Sequence, residues 1–201
     1  MDNKQLSITA ENALAAYNNA DDNGKRLLEN LFGKRTFLTD VTERIKTFED
    51  ACQELGDENP LVSQYNGLVG YFESVSDELC FTEEMHDIVA YLKLRIITAA
   101  LNEGWIPLLF TENEYRYYPW FILYTKDEFE NLDEDKKSRC RVVGRSSYNA
   151  YAHGCVAYAS AASASSRSSA LYGSRLAFKS RELADYCGKQ FIDIWSDYII
   201  S

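Results

Sequence analysis

A chain of 201 residues suits one large domain or two small ones, and three Trp with ten Phe supply material for a real core. Its formal net charge of −10 disfavours a nucleic-acid backbone or an anionic membrane as partner, because both select clustered Lys and Arg. The five cysteines (Cys52, Cys80, Cys140, Cys155, Cys187) are odd in number and scattered without a C-x-x-C pair, so they indicate neither a disulfide framework nor a zinc site.

The first hundred residues read as helices. Thr9 caps a short helix from Ala10 to Ala20, and Asp21 to Gly24 read as the turn after it. Leu27, Leu28, Leu31 and Phe32 follow as an apolar cluster stopped by Gly33. Asp40 and Glu43 form a capping-box pattern ahead of one apolar face (Val41, Ile45, Phe48, Cys52, Leu55), with Gly56 as the C-cap. Pro60 to Phe72 is mixed, since Gly67 and Gly70 weaken a helix. Thr82 opens the best-marked helix, Glu83 to Asn102, closed by Gly104.

The pattern changes at Trp105. Trp105 to Phe110 and Tyr117 to Tyr124 are aromatic and β-branched runs that suit strands, with Pro119 implying an edge, a bulge or a strand start. Asp127 to Lys137 reads as a charged loop or short helix. Cys140 to Gly144, Gly154 to Ala159 and Ser174 to Phe178 read as short strands. Ser180 caps a C-terminal helix with an apolar stripe through Leu183, Cys187, Phe191, Ile194 or Trp195, and Tyr198, and Gly188 inside it implies close packing against another element. Trp120, Phe121, Leu176 and Phe178 are expected to be buried.

Between Ser146 and Tyr172 the chain is mostly Ser, Ala and Tyr, with no Lys, Glu, Gln, Met, Trp or Pro. On average composition those types fill roughly one position in five. A close-packed or low-complexity segment is one reading. The other is a recognition surface, where tyrosine gives large contact area at low entropic cost and Ser, Gly and Asn give adaptable hydrogen bonds.

Signals for catalysis are weak. His86 and His153 are the two histidines. Cys155 lies two residues from His153, which on a strand would put both on one face, but a nucleophilic pair also needs an orienting group and an oxyanion site. The carboxylates around Glu83 and Asp133 read as solvated faces, and no calcium-loop, Walker, G-x-G-x-x-G or G-x-S-x-G pattern occurs. No catalytic residue, cofactor or metal is expected.

The residues Arg141 to Ser180 resemble the variable region of a target protein of a diversity-generating retroelement, a system of bacteria and their phages that rewrites adenines in a template copy. An AAC codon varied at its adenines reaches Tyr148, Asn149, Tyr151, His153, Cys155, Tyr158, Arg167, Leu171 and Tyr172, and cannot yield the absent Lys, Glu, Gln, Met or Trp. Family members close a C-type-lectin-like fold with a fixed strand of the type G-F-R-L, and Gly173-Ser174-Arg175-Leu176 stands in that place. Two features depart from the family: a long helix follows that strand, and the G-G-S-W pattern is missing.

The resulting expectation is an α+β fold: a helical N-terminal region (1–103), then a mixed ligand-display domain (104–201) that the resemblance makes C-type-lectin-like, with the variable region about 141–180 and a C-terminal helix. Its function would be non-catalytic recognition of a protein or cell-surface ligand through Tyr148, Asn149, Tyr151, His153, Cys155, Tyr158, Ser160, Arg167, Ser169, Leu171 and Tyr172. Tyr151, His153 and Cys155 are expected on one face, with Arg167, Ser169 and Leu171 joining them in a single patch. The alternative is a structural or assembly protein, with the Ala/Ser-rich segment as a subunit interface in a homo-oligomer. Neither nucleic-acid binding nor membrane insertion is expected. The N-terminus lacks the basic start and apolar run of a signal peptide, which implies a soluble protein made in the cytoplasm, with virion association as the setting the resemblance suggests.

Overall fold

The computed structural model describes residues 7–75, 85–108, 114–143, 154–165 and 174–200. It is an α+β protein with a helical N-terminal part, a small antiparallel sheet and a helical C-terminal end. The chain divides into two compact units, Met1–Arg44 and Ile45–Ser201. The helices between Ile45 and Leu101 belong to the unit that carries the sheet.

In the first unit, the Thr9 hydroxyl accepts from the Asn12 N–H at 3.2 Å and starts α1 (Ala10–Asn19). The expected turn at Asp21 to Gly24 is instead the beginning of α2 (Asp22–Phe32). Asp21 caps it by accepting from the Gly24 N–H at 2.8 Å, a stronger local signal than the glycine. Gly33, at φ 79°, ends α2 in a conformation glycine adopts without strain. Tyr17 and Phe37 stack with centroids 4.4 Å apart over Ala13, with Leu28 and Leu38 packed against them. The short α3 (Val41–Arg44) brings in the Arg44 guanidinium, which donates to the carbonyls of Leu38 and Thr39 at 3.0 and 2.8 Å.

The single helix expected from Val41 to Leu55 is broken. Thr47 and Asp50 form their own reciprocal capping box, so α4 starts afresh (Phe48–Leu55) and ends at Gly56, φ 81°. Next, α5 (Pro60–Val75) runs straight through Gly67 and Gly70, with Pro60 in the first helical position, where its missing N–H costs nothing. Buried on nearly every side, α6 (His86–Leu101) carries Leu92, Leu94, Ile96, Ile97 and Leu101 into the core and touches α4, α5 and the C-terminal helix. The expected start of this helix, Thr82 to Glu84, lies outside the described residues.

The sheet has strand order β1–β3–β2, all neighbours antiparallel: β1 (Tyr115–Thr125), β2 (Cys140–Val143) and β3 (Gly154–Ser165). Between β1 and β2 lie two short capped helices, α7 (Lys126–Glu130) and α8 (Glu134–Lys137). Trp105 to Leu108 are not a strand, and residues 109–113 lie outside the described residues. Strand β3 is longer than expected and continues through Ala161 and Ala162, with one extra residue bulged opposite Trp120/Phe121. Pro119 sits on the edge strand β1, as its missing N–H requires.

Ser174 to Phe178 is a 3-10 turn (Ser174–Leu176) followed by one bridge to Tyr117, rather than a strand. The buried Asn102 side chain explains this. It donates to the Ala177 carbonyl at 2.8 Å and accepts from the Lys179 N–H at 3.0 Å, using backbone groups that a strand would need. After Ser180 the chain forms two helices, α9 (Arg181–Gln190) and α10 (Ile192–Ile200), joined at Phe191. Tyr186 and Gln190 tie α9 back to the carbonyls of Ile45 and Lys46.

Candidate binding surface

Residues directly opposite on neighbouring strands share a face, and successive residues of one strand alternate faces. The register therefore sorts the sheet. On one face Pro119 and Phe121 of β1 stand beside Ala161, Tyr158 and Val156 of β3. This face carries the packing. Phe121 meets the buried Trp195 at 5.4 Å between ring centroids, and a Cβ on Gly188 would lie within 2.8 Å of both Tyr158 and Pro119. Close packing at Gly188 is thus as expected, and Tyr158 and Pro119 are what it packs against.

The opposite face is made by Trp120, Ile122 and Tyr124 on β1, Cys155, Ala157 and Ser160 on β3, and Cys140 and Val142 on β2. Small side chains line the middle strand and larger ones stand on either side. Trp120 is 43% exposed, Ile122 42% and Val142 54%. Trp120 was expected in the core with Phe121; the pleat sends the two to opposite faces, and Phe121 is the one directed at the helices. Leu176 and Phe178 are fully buried as expected.

Of the expected recognition residues, Tyr148, Asn149, Tyr151, His153, Arg167, Ser169, Leu171 and Tyr172 lie outside the described residues. Ser160 is exposed opposite Trp120. Cys155 is only 3% exposed and Tyr158 faces the helices, so neither side chain belongs to an open surface. The Tyr158 hydroxyl donates a very short hydrogen bond to Asp185, and Lys189 lies over its ring at 5.2 Å. Burial first, then Asp185, pushes the Tyr158 phenol above its ordinary range. The Cys155 thiol is pushed up to about 12, by burial first and then by Cys140, which keeps it mostly protonated at neutral pH.

The two halves of the Ser/Ala/Tyr-rich stretch join the sheet at different places. β2 ends at the Val143–Gly154 pair, and β3 ends at the Tyr115–Ser165 pair. These lie at opposite ends of β3, about 35 Å apart at ~3.3 Å per residue.

Two signals in the sequence pointed to this surface without being used. Alternation through Trp120, Ile122 and Tyr124 marks one face of β1, and the small-residue run of β3 marks its floor. Elsewhere, a cleft of about 500 Å³ is lined by Phe48, Cys52, Val62 and Tyr65, where burial and then Glu49 and Asp57 raise the Cys52 thiol. Among the described residues, no three His, Cys, Asp or Glu side chains are grouped to hold a metal ion, and no helix is long and apolar enough to cross a membrane. Protein-family models, curated proteins and solved structures show no match to this chain.

Proposed function

We propose that the chain is a non-catalytic recognition protein. In this reading the helical face of the sheet is a rigid frame, and a protein or cell-surface ligand binds the other face together with the Ser/Ala/Tyr-rich segments that adjoin it in sequence. The observation that supports it is the exposure of Trp120, Ile122 and Val142, on the face opposite the one that packs against Trp195 and Gly188. A large aromatic in such a place is the residue type that dominates binding hot spots, at about 2 kcal/mol or more when buried by a partner.

The resemblance of residues 141–180 to a retroelement variable region supplies a source for the composition of those segments, and with it the proposal of a phage or bacterial adhesion protein with lectin-like display. Sequencing around the gene tests that part. A near-copy of this stretch differing at adenines, beside a reverse transcriptase gene, is the expected finding; its absence removes the retroelement origin.

The same exposed side chains favour a second reading, a structural protein that buries Trp120, Ile122 and Val142 against another copy. Sedimentation of the full chain separates the two. A monomer at micromolar concentration supports recognition, and an oligomer dissolved by Trp120→Ser supports assembly.

A further inference from the structure

Cys140 and Cys155 stand on adjacent strands and on the same face of the sheet. Cys140 is paired with Ala157 and Cys155 with Val142, so the two cysteines are diagonal neighbours one step apart in register. Both are free thiols, and after burial it is Cys140 that raises the Cys155 thiol. Cys140 is half-exposed, at the start of a four-residue edge strand, with its Sγ 3.2 Å from the Lys136 carbonyl; Cys155 is buried behind it. In sequence the pair brackets residues 144–153.

We propose that Cys140 and Cys155 are a modification site: a thiol pair that closes to a disulfide by exchange with a low-molecular-weight disulfide such as oxidised glutathione, pinning β2 to β3 at the root of the Ser/Ala/Tyr-rich segment. The roles follow from access. The Cys140 thiolate attacks one sulfur of oxidised glutathione, forming a mixed disulfide and releasing one glutathione thiolate. The Cys155 thiol then loses its proton and attacks the Cys140 Sγ, forming the Cys140–Cys155 bond and releasing the second glutathione. Two protein thiols are oxidised, one glutathione disulfide is reduced, and the two thiol protons end on the two glutathiones.

Diagonal neighbours of an antiparallel pair have Cα atoms about 7–8 Å apart, against a usual disulfide span of roughly 4.4–6.8 Å. Closure therefore draws β2 inward by about 1 Å. A short edge strand can make that shift, and it would tighten the β2–β3 pairing whether the proposed surface binds a ligand or a second copy.

The test uses the full chain incubated with oxidised glutathione at neutral pH, quenched by alkylation and read by intact mass and peptide mapping. The expected result is loss of two free thiols with a Cys140–Cys155 crosslink and slower amide hydrogen exchange in β2 and β3. Cys155→Ala should stall as a glutathione adduct on Cys140, and Cys140→Ser should leave Cys155 unmodified. A wild-type protein that accumulates the Cys140 adduct without closing it overturns the proposal. So does a crosslink that maps to another pair, or a Cys155 that reacts as fast in Cys140→Ser as Cys140 does in the wild type.

Discussion

Replacing Gly188 by alanine sets two well-known effects against each other. Helix propensity favours alanine in the interior of α9 by about 1 kcal/mol. The added Cβ, however, would lie 2.5 and 2.6 Å from Tyr158 Cδ2 and Cε2 and 2.8 Å from Pro119 Cβ, closer than carbon atoms approach without movement. Tyr158 cannot easily swing away, since Asp185 accepts from its hydroxyl, Lys189 covers its ring and Phe121 meets its edge. Overpacking of this kind costs about 1–3 kcal/mol and sometimes more. The expected outcome is a net loss of about 1–2 kcal/mol, seen in urea as a lower midpoint with unchanged slope. Gly67→Ala is the control: nothing lies within 4 Å of its added Cβ, so propensity acts alone and stability rises by up to about 1 kcal/mol. A Gly188→Ala protein as stable as the wild type would refute the close packing of α9 on the sheet.

Phe178→Ala should cost about 3–5 kcal/mol in the same assay, because Phe178 is fully buried where the chain bridges to β1. Asn102→Ala should cost about 1–3 kcal/mol by leaving the Ala177 carbonyl and the Lys179 N–H without their partner, and should speed hydrogen exchange at Lys179. Tyr17, donating to Glu29 at 2.6 Å, has its phenol raised from 10.0 to about 12, by burial first and then by Glu29. A raised folded pKa means its stabilisation is complete below pH ~10 and is lost as pH climbs towards about 12; among the late-titrating tyrosines, which include Tyr158, tyrosinate absorbance should show one fewer in Tyr17→Phe. Ile122→Thr, on the open face, should change stability by no more than about 0.5 kcal/mol, checked by thermal melting.

Much of this arrangement was legible from local chemistry. Thr9, Gly33, Gly56 and Ser180 each carry a cap or stop signal strong enough to act alone, and each acts where the sequence places it. Failures came where two local signals compete or where a distant partner decides. Thr47 with Asp50 outcompetes continuation of the helix through Ile45, although both patterns are visible. Ser174 to Phe178 looks like a strand until Asn102, far away in sequence, takes its backbone groups. The inward placement of Tyr158 follows from the bulge opposite Trp120/Phe121, which shifts the β3 pairing by one residue and has no sequence mark of its own. The alternation of Trp120 and Phe121 was readable, but composition alone treated both as core.

The central claim is that a fixed frame presents replaceable residues for binding. It is tested by randomising Tyr148, Asn149, Tyr151, His153, Arg167, Ser169, Leu171 and Tyr172 in a displayed library while Phe121, Tyr158, Leu176 and Phe178 are kept. The account predicts that most members remain protease-resistant and that selection on unrelated immobilised proteins enriches folded binders rich in tyrosine. A library in which most members lose protease resistance, or from which no folded binder can be enriched, would contradict it.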